Sequence, residues 1–220
     1  MKDIFEYINE IIDSKNELVF FEFGMCDAYH SYKILDLLES KNKKFKYFAF
    51  EPVKSLFDMV NANKKNYSNG TFNIYNMAIG NVDGEVKFYE SGGQKIVNNE
   101  VTEHYYGSSS INKPKDVLKF WDQMKFEEKT TTSIKFDTFI KQNLENEIID
   151  FVWADIQGAE LKLINGGKKA FKNVRYFYTE YSLGNLYQGE KGLQAILDKL
   201  PDFEIECDYQ GDILLKNKNL

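Results

Sequence analysis

Four acids and one amide stand where apolar runs of this chain give way to turns: Glu22, Glu51, Asn76, Asp155 and Glu180. Such groups accept hydrogen bonds from hydroxyls, and ionised acids face positive charge or take a proton from a hydroxyl. Asp155 ends the run Ile148-Ile149-Asp150-Phe151-Val152-Trp153 and is followed by Gly158, a pattern that suits a buried strand opening onto a ligand. An isolated Asp-x-x-Gly-x-Glu also reads as a helix cap. Asp155 is the first candidate base, or else an acid that only orients a ligand. Glu180 is the second, with a solvated or capping acid as its alternative. His30 titrates near neutrality and could contact a substrate or act as base, or serve only as a hydrogen-bonded structural histidine. His104-Tyr105-Tyr106 and Ser108-Ser109-Ser110 fall in a stretch without period, where aromatics and hydroxyls could meet a substrate or simply pack and turn.

These residues need elements to hold them. Ile4, Phe5, Ile8, Ile11 and Ile12 share one helical face. Leu18 to Phe23, Phe45 to Phe50 and Thr71 to Tyr75 read as strands alternating with helices, and Pro52 suits a helix's first position. This alternation predicts right-handed crossovers and a parallel α/β sheet, with the acids along one sheet edge. After the turn at Asn81-Val82-Asp83-Gly84, residues 91–110 read as a long loop, ordered by a ligand. A short helix around Val117 follows, then a strand from Thr131 and a helix capped by Asp137. The Asp155 strand, a strand ending at Glu180, a helix stopped by Pro201 and a final antiparallel pair complete the order. The expectation is one domain over 1–220, with an N-terminal helix within 1–17 and an acceptor or lid region over 91–130.

Composition narrows the function. The net charge is −6 and Arg175 is the sole arginine, so no basic stripe is present to neutralise phosphates, and nucleic-acid binding is disfavoured. No run approaches the roughly 18 apolar residues of a membrane span. Cys26 and Cys207 lack metal spacing and fit free thiols in a reducing compartment, and the first residues have no signal-peptide pattern, so a cytoplasmic protein is expected. No metal is expected, and the oligomeric state is not readable.

Glu22 and Glu51 stand one βαβ unit apart, and an acid after the second strand is how ribose hydroxyls are held. A dinucleotide site would cradle its pyrophosphate in Gly-x-Gly-x-x-Gly. Here the first turn is Gly24-Met25-Cys26-Asp27-Ala28, with one glycine and acids on both sides. That turn disfavours NAD and suits S-adenosylmethionine, a cation without phosphate. Gly24 is expected to admit the ligand closely.

Glu22-Phe23-Gly24, Phe50-Glu51-Pro52 with Asn61, Ala78-Ile79-Gly80 with Gly84, Ser109-Ser110, Asp155-Ile156-Gln157-Gly158-Ala159-Glu160 with Gly166, and Glu180 together resemble the FkbM family of S-adenosylmethionine-dependent methyltransferases. The resemblance runs from about Leu18 to Lys216. It implies a Rossmann-like class I methyltransferase fold: a seven-stranded, mostly parallel sheet with an antiparallel last strand and helices on both faces. It implies methyl transfer to a hydroxyl of a small-molecule or glycan acceptor. By motif match, Glu22 and Gly24 stand at the first cofactor motif, Glu51 at the ribose, Met77 and Ala78 (after Asn76) beside the adenine, and Asp155 near the reacting methyl. The remaining expected acceptor contacts are His104, Tyr105, Ser109 and Ser110. Cys26 and Ala28 replace the family's more usual asparagine and glycine, and Trp153 and Gln157 its lysine and glutamate. The first two substitutions motivate the alternative of a non-catalytic binding module on the same fold.

Overall fold

Asp3 starts the first helix by a reciprocal cap. Its carboxylate accepts from the Phe5 amide at 2.8 Å, and Glu6 accepts from the Asp3 amide at 2.8 Å. Helix α1 (Ile4–Ser14) buries Ile4, Ile8, Ile11 and Ile12. The structure, a computed structural model, describes residues 2–97, 100–144 and 147–220, with backbone alone at 95–97, 102 and 103.

The chain continues through β1 (Glu17–Phe23), α2 (Tyr29–Ser40), β2 (Lys44–Phe50), α3 (Lys54–Ala62), β3 (Gly70–Tyr75), β4 (Ala78–Gly80), β5 (Gly84–Gly92), β6 (Gln94–Val97) and β7 (Glu100–His104). Next come α4 (Val117–Phe120), β8 (Lys125–Lys135), α5 (Phe136–Asn143), β9 (Ile149–Ala154), α6 (Glu160–Gly166), β10 (Val174–Glu180), α7 (Leu193–Leu197), β11 (Phe203–Asp208) and β12 (Asp212–Asn217). The main sheet has seven strands in the order β11-β12-β10-β9-β1-β2-β3. β3, β2, β1, β9 and β10 run parallel, and β12 is antiparallel to both β10 and β11. The expected α/β architecture is therefore present, with the antiparallel strand inserted between its neighbours.

The central strands are apolar on both faces because both faces are covered. In β1, Val19, Phe21 and Phe23 pack with Phe136, Phe139, Leu163 and Ile196 from α5, α6 and α7. Leu18 and Phe20 pack on the other face with Ile8, Ile12, Ile34 and Leu35 from α1 and α2. Sequence order reverses between β1 and β9, so their carboxyl ends open a crevice at the sheet's switch point.

Several local expectations need correction. Residues 91–110 are not one loop: β5 extends to Gly92, β6 and β7 pair antiparallel, and a 3-10 turn follows at Tyr106–Ser108, while Asn98 and Asn99 lie outside the described residues. β5 pairs with β8 from Gly84 to Gly92; the alternation of Val86 and Phe88 after the turn marks its first half, and the rest buries too few side chains to extend that period to Gly92. Pro52 precedes the helix start, where Val53 is the N-cap. Asp137 lies inside α5, whose N-cap is Lys135, and its carboxylate instead accepts from the amides of Lys169 at 2.9 Å and Ala170 at 2.8 Å.

Gly24 is required by the protein itself. A Cβ there would sit 1.9 Å from the Asp155 carbonyl oxygen, and its φ is +84°. Gly24→Ala is expected to cost at least about 2 kcal/mol, from left-handed strain plus overpacking. Gly184→Ala, with nothing within 4 Å of an added Cβ, should be near neutral. Urea unfolding midpoints check this; equal midpoints for the two variants would contradict it.

Candidate functional site

The turn after β1 shapes the site. The Gly24 and Met25 amides donate to the Phe50 carbonyl at 3.1 and 3.0 Å, and the Asp155 amide donates to the Phe23 carbonyl at 3.0 Å. Three strand ends are thereby tied together. Cys26 and Ala28 both hold left-handed backbone, φ +53° and +63°. They keep the turn in the conformation that asparagine and glycine favour, at a strain cost of roughly 1–2 kcal/mol each.

This turn faces a cavity of about 320 Å³. Asp27, Glu51 and Asp155 are the carboxylates in its wall, which among the described residues contains no lysine or arginine. Leu56, Met77, Ile79, Phe88 and Ile111 give one side an apolar surface, and Tyr106 and Ser109 border the opening from the 91–130 region.

Glu51 is the most constrained of the acids. It is 4% exposed, and its two oxygens accept separately from the Cys26 amide (Oε2, 2.8 Å) and the Val53 amide (Oε1, 2.8 Å). Each oxygen keeps one lone pair for a ligand, a match to a vicinal diol. Burial lifts its carboxyl to about 7 against the pull of those two donors. Asn76 does not line the cavity. Its amide donates to the Glu51 and Pro52 carbonyls at 2.9 and 3.2 Å, holding the turn that presents Glu51.

Glu22 also departs from expectation. Strand alternation turns it away from the crevice and under α2, where it is 1% exposed and accepts from Tyr47 at 2.7 Å and from Ser31. It braces the floor below the first turn, and burial lifts its carboxyl to about 7. Gly24, Glu51, Met77, Ala78 and Asp155 do share the cavity wall.

Asp155 does not cap α6, whose N-cap is Ala159. Gln157, at φ +53°, turns its amide back to donate to Asp155 Oδ1 at 2.6 Å, with Glu180 Oε2 3.3 Å away. Glu180 lies outside the first cavity and lines an adjoining cleft that shares Asp155, His30 and Trp153 with it. Burial, then the Asp155 charge, raises the Glu180 carboxyl, and burial raises that of Asp155. His30 stacks on Trp153 with centroids 4.6 Å apart, and burial lowers its pKa, so the ring is neutral at pH 7. Asp212 joins the adjoining cleft because it pairs with Glu180 across the β10–β12 ladder. Only that non-local pairing marks it.

The expected acceptor residues divide. Ser109 and Ser110 border the first cavity, but their hydroxyls serve the fold: Ser109 Oγ accepts from the Ser91 amide at 2.9 Å and Ser110 Oγ donates to the Gln157 carbonyl at 2.8 Å. Tyr105 is buried with Val117 and Met124 rather than facing the cavity. His104 lines a separate groove with Gln94, Nε2 to Nδ1 3.3 Å. Among the described residues, no group of three or more His, Cys, Asp or Glu is placed to hold a metal ion, and no helix is long and apolar enough to cross a membrane.

The strand order and the acid-lined ends of β2 and β9 define a class I methyltransferase fold. Residues 22–210 match the methyltransferase FkbM domain, and the chain belongs to that family. It is 30% identical over 212 residues to the 2-O-methyltransferase NoeI of Sinorhizobium fredii (strain NBRC 101917 / NGR234), a match covering 94% of this chain and 82% of that protein. Among solved structures, it resembles methyltransferase FkbM from Methylobacillus flagellatus KT, at 14% identity and TM-score 0.49 over 91% of this chain. The chain spans 44% of that protein. It also resembles the precorrin-6y C5,15-methyltransferase of Geobacter metallireducens GS-15, at 10% identity and TM-score 0.42, over 96% of this chain and 87% of that one.

The buried acids set a pH dependence. Glu22 and Glu51 rise to about 7 and Glu160 to about 8, all through burial. A carboxyl raised on folding contributes stability that is complete below its unfolded value and lost as pH rises through its folded value. His30, lowered, acts in the opposite sense but is a single group. The ligand-free protein should therefore melt at progressively lower temperature between about pH 4.5 and 8. A rising melting temperature across that window would contradict this assignment.

Proposed function

We propose that this methyltransferase uses S-adenosylmethionine to methylate a hydroxyl oxygen on a carbohydrate or similar small molecule. The observation that carries this is Glu51, clamped by two backbone amides with one free lone pair on each oxygen, in a cavity whose wall holds three carboxylates and, among the described residues, no lysine or arginine. A pyrophosphate would meet uncompensated negative charge there, whereas a sulfonium and an ammonium meet complementary charge. The similarity to a 2-O-methyltransferase supports oxygen as the acceptor atom.

In this reading Glu51 accepts both ribose hydroxyls. Leu56, Met77, Ala78, Ile79 and Phe88 enclose the adenine, and Asp27 and Asp155 face the cationic end. When bound, S-adenosylmethionine supplies an electrophilic methyl group. The chain contributes alignment of the acceptor oxygen and removal of its proton. Gln157 donates to Asp155 Oδ1 and orients the carboxylate. Asp155 takes that proton as the acceptor oxygen gains the methyl group and the carbon–sulfur bond of the donor breaks. Glu180, its carboxyl raised by burial, keeps its own proton beside Asp155, so the pair carries one negative charge rather than two. The Tyr106 edge belongs to the 91–130 region, which this reading places over the cofactor cavity.

Glu51→Ala should weaken S-adenosylmethionine binding at least about 100-fold by calorimetry, with the circular dichroism spectrum retained. Asp155→Asn should bind the cofactor within a few-fold of the wild-type chain yet lose about 100-fold or more in transfer of labelled methyl groups to a hydroxyl acceptor. Undiminished affinity in the first variant would refute the ribose role of Glu51, and full turnover in the second would remove Asp155 as base.

A further inference from the structure

The cleft that adjoins the cofactor cavity has a volume of about 430 Å³, within the range of roughly 300–1,000 Å³ typical of small-molecule sites. It lies between the start of α1 and the carboxyl ends of β9 and β10. Its wall shares His30, Trp153 and Asp155 with the cofactor cavity, so a molecule held there reaches the acid placed at the methyl. The groove at His104 shares only Tyr106 with that cavity.

The chemistry of the wall selects a ligand class. Trp153 and Tyr178 are buried, with His30 stacked on Trp153 at 4.6 Å and Tyr178 edge-on to it at 4.6 Å. The half-buried His30 ring and the edges of the two larger rings thus form the apolar part of the wall, against which the C–H face of a sugar ring can pack. Asp3, Asp155, Glu180 and Asp212 supply carboxyl oxygens around it, with Asp155 and Glu180 sharing one negative charge. Among the described residues, Lys33 is the one lysine or arginine in the wall, and its Nζ lies 3.9 Å over the Phe5 ring. Hydroxyl donors find many acceptors here, while a phosphate or uronate would face several acids against one lysine.

We infer that this second cleft, rather than the 91–130 region, holds the methyl acceptor, and that the acceptor is a sugar without negative charge at the ring being methylated. This rests on the methyl-transfer reading above.

The chain's two tryptophans report on the alternatives, since Trp153 lines the cleft and Trp121 stands in the 91–130 region. The test follows both indole N–H signals in ¹H–¹⁵N spectra, assigned with Trp121→Phe. The full chain is first saturated with S-adenosylhomocysteine, then titrated with methyl β-glucopyranoside, N-acetylglucosamine or glucose 6-phosphate. S-Adenosylhomocysteine alone should move the Trp153 signal. Its failure to bind would refute the methyl-transfer reading itself. With it bound, at least one neutral sugar should move Trp153 further and leave Trp121 in place, glucose 6-phosphate should have less effect, and Asp212→Lys should weaken the neutral-sugar response at least about tenfold while retaining the response to S-adenosylhomocysteine. Movement of Trp121 with Trp153 silent, stronger binding of the phosphate ester, an unchanged sugar response in Asp212→Lys, or no response to either neutral sugar would each overturn the inference.

Discussion

The site depends on one close approach of backbone to backbone, where the end of β1 meets the end of β9. The Asp155 amide donates to the Phe23 carbonyl, and the Asp155 carbonyl occupies the space a side chain at position 24 would need. Gly24 then turns the chain so that the next amides bond the end of β2, and Cys26 delivers its own amide to Glu51. Position 24 is thus glycine because of Asp155. Fixed in this way, the strand ends gather acids that neighbouring backbone and side-chain donors hold in place.

Acids so close together oppose one another and resist burial, and the structure answers in two ways. Some are bonded to donors, as Glu51 is to two amides and Glu22 to Ser31 and Tyr47. Others share charge, as Glu180 does beside Asp155, with the Gln157 amide between them. In the proposed function, a cationic ligand would relieve what remains. On that proposal the ligand-free molecule carries a cost that binding would recover.

Much of this was legible in the amino-acid sequence, for local reasons. β1 and β9 announce themselves because strands buried on both faces are largely apolar, with Glu22 and Asp150 as their buried acids, and Glu51 is visible because an acid ends such a run. Glu22 misled because a strand's period of two, rather than its end, sets which way a side chain points. The full length of the β5–β8 ladder was hidden because its exposed, polar residues carry no apolar period, and the place of Tyr105 by a core contact with residues far along the chain. Asp212 acquires its place only through pairing with Glu180. No local pattern encodes that pairing, so the wall of the second cleft emerges only with the fold.

The central claim is that the crevice between β1 and β9 is built for a phosphate-free cationic nucleoside. Calorimetric titration of the ligand-free chain at neutral pH with S-adenosylmethionine and, separately, with NAD tests it most directly. The account predicts saturable one-to-one binding of S-adenosylmethionine and no binding heat from NAD. Binding of NAD, or a failure of S-adenosylmethionine to bind, would contradict it.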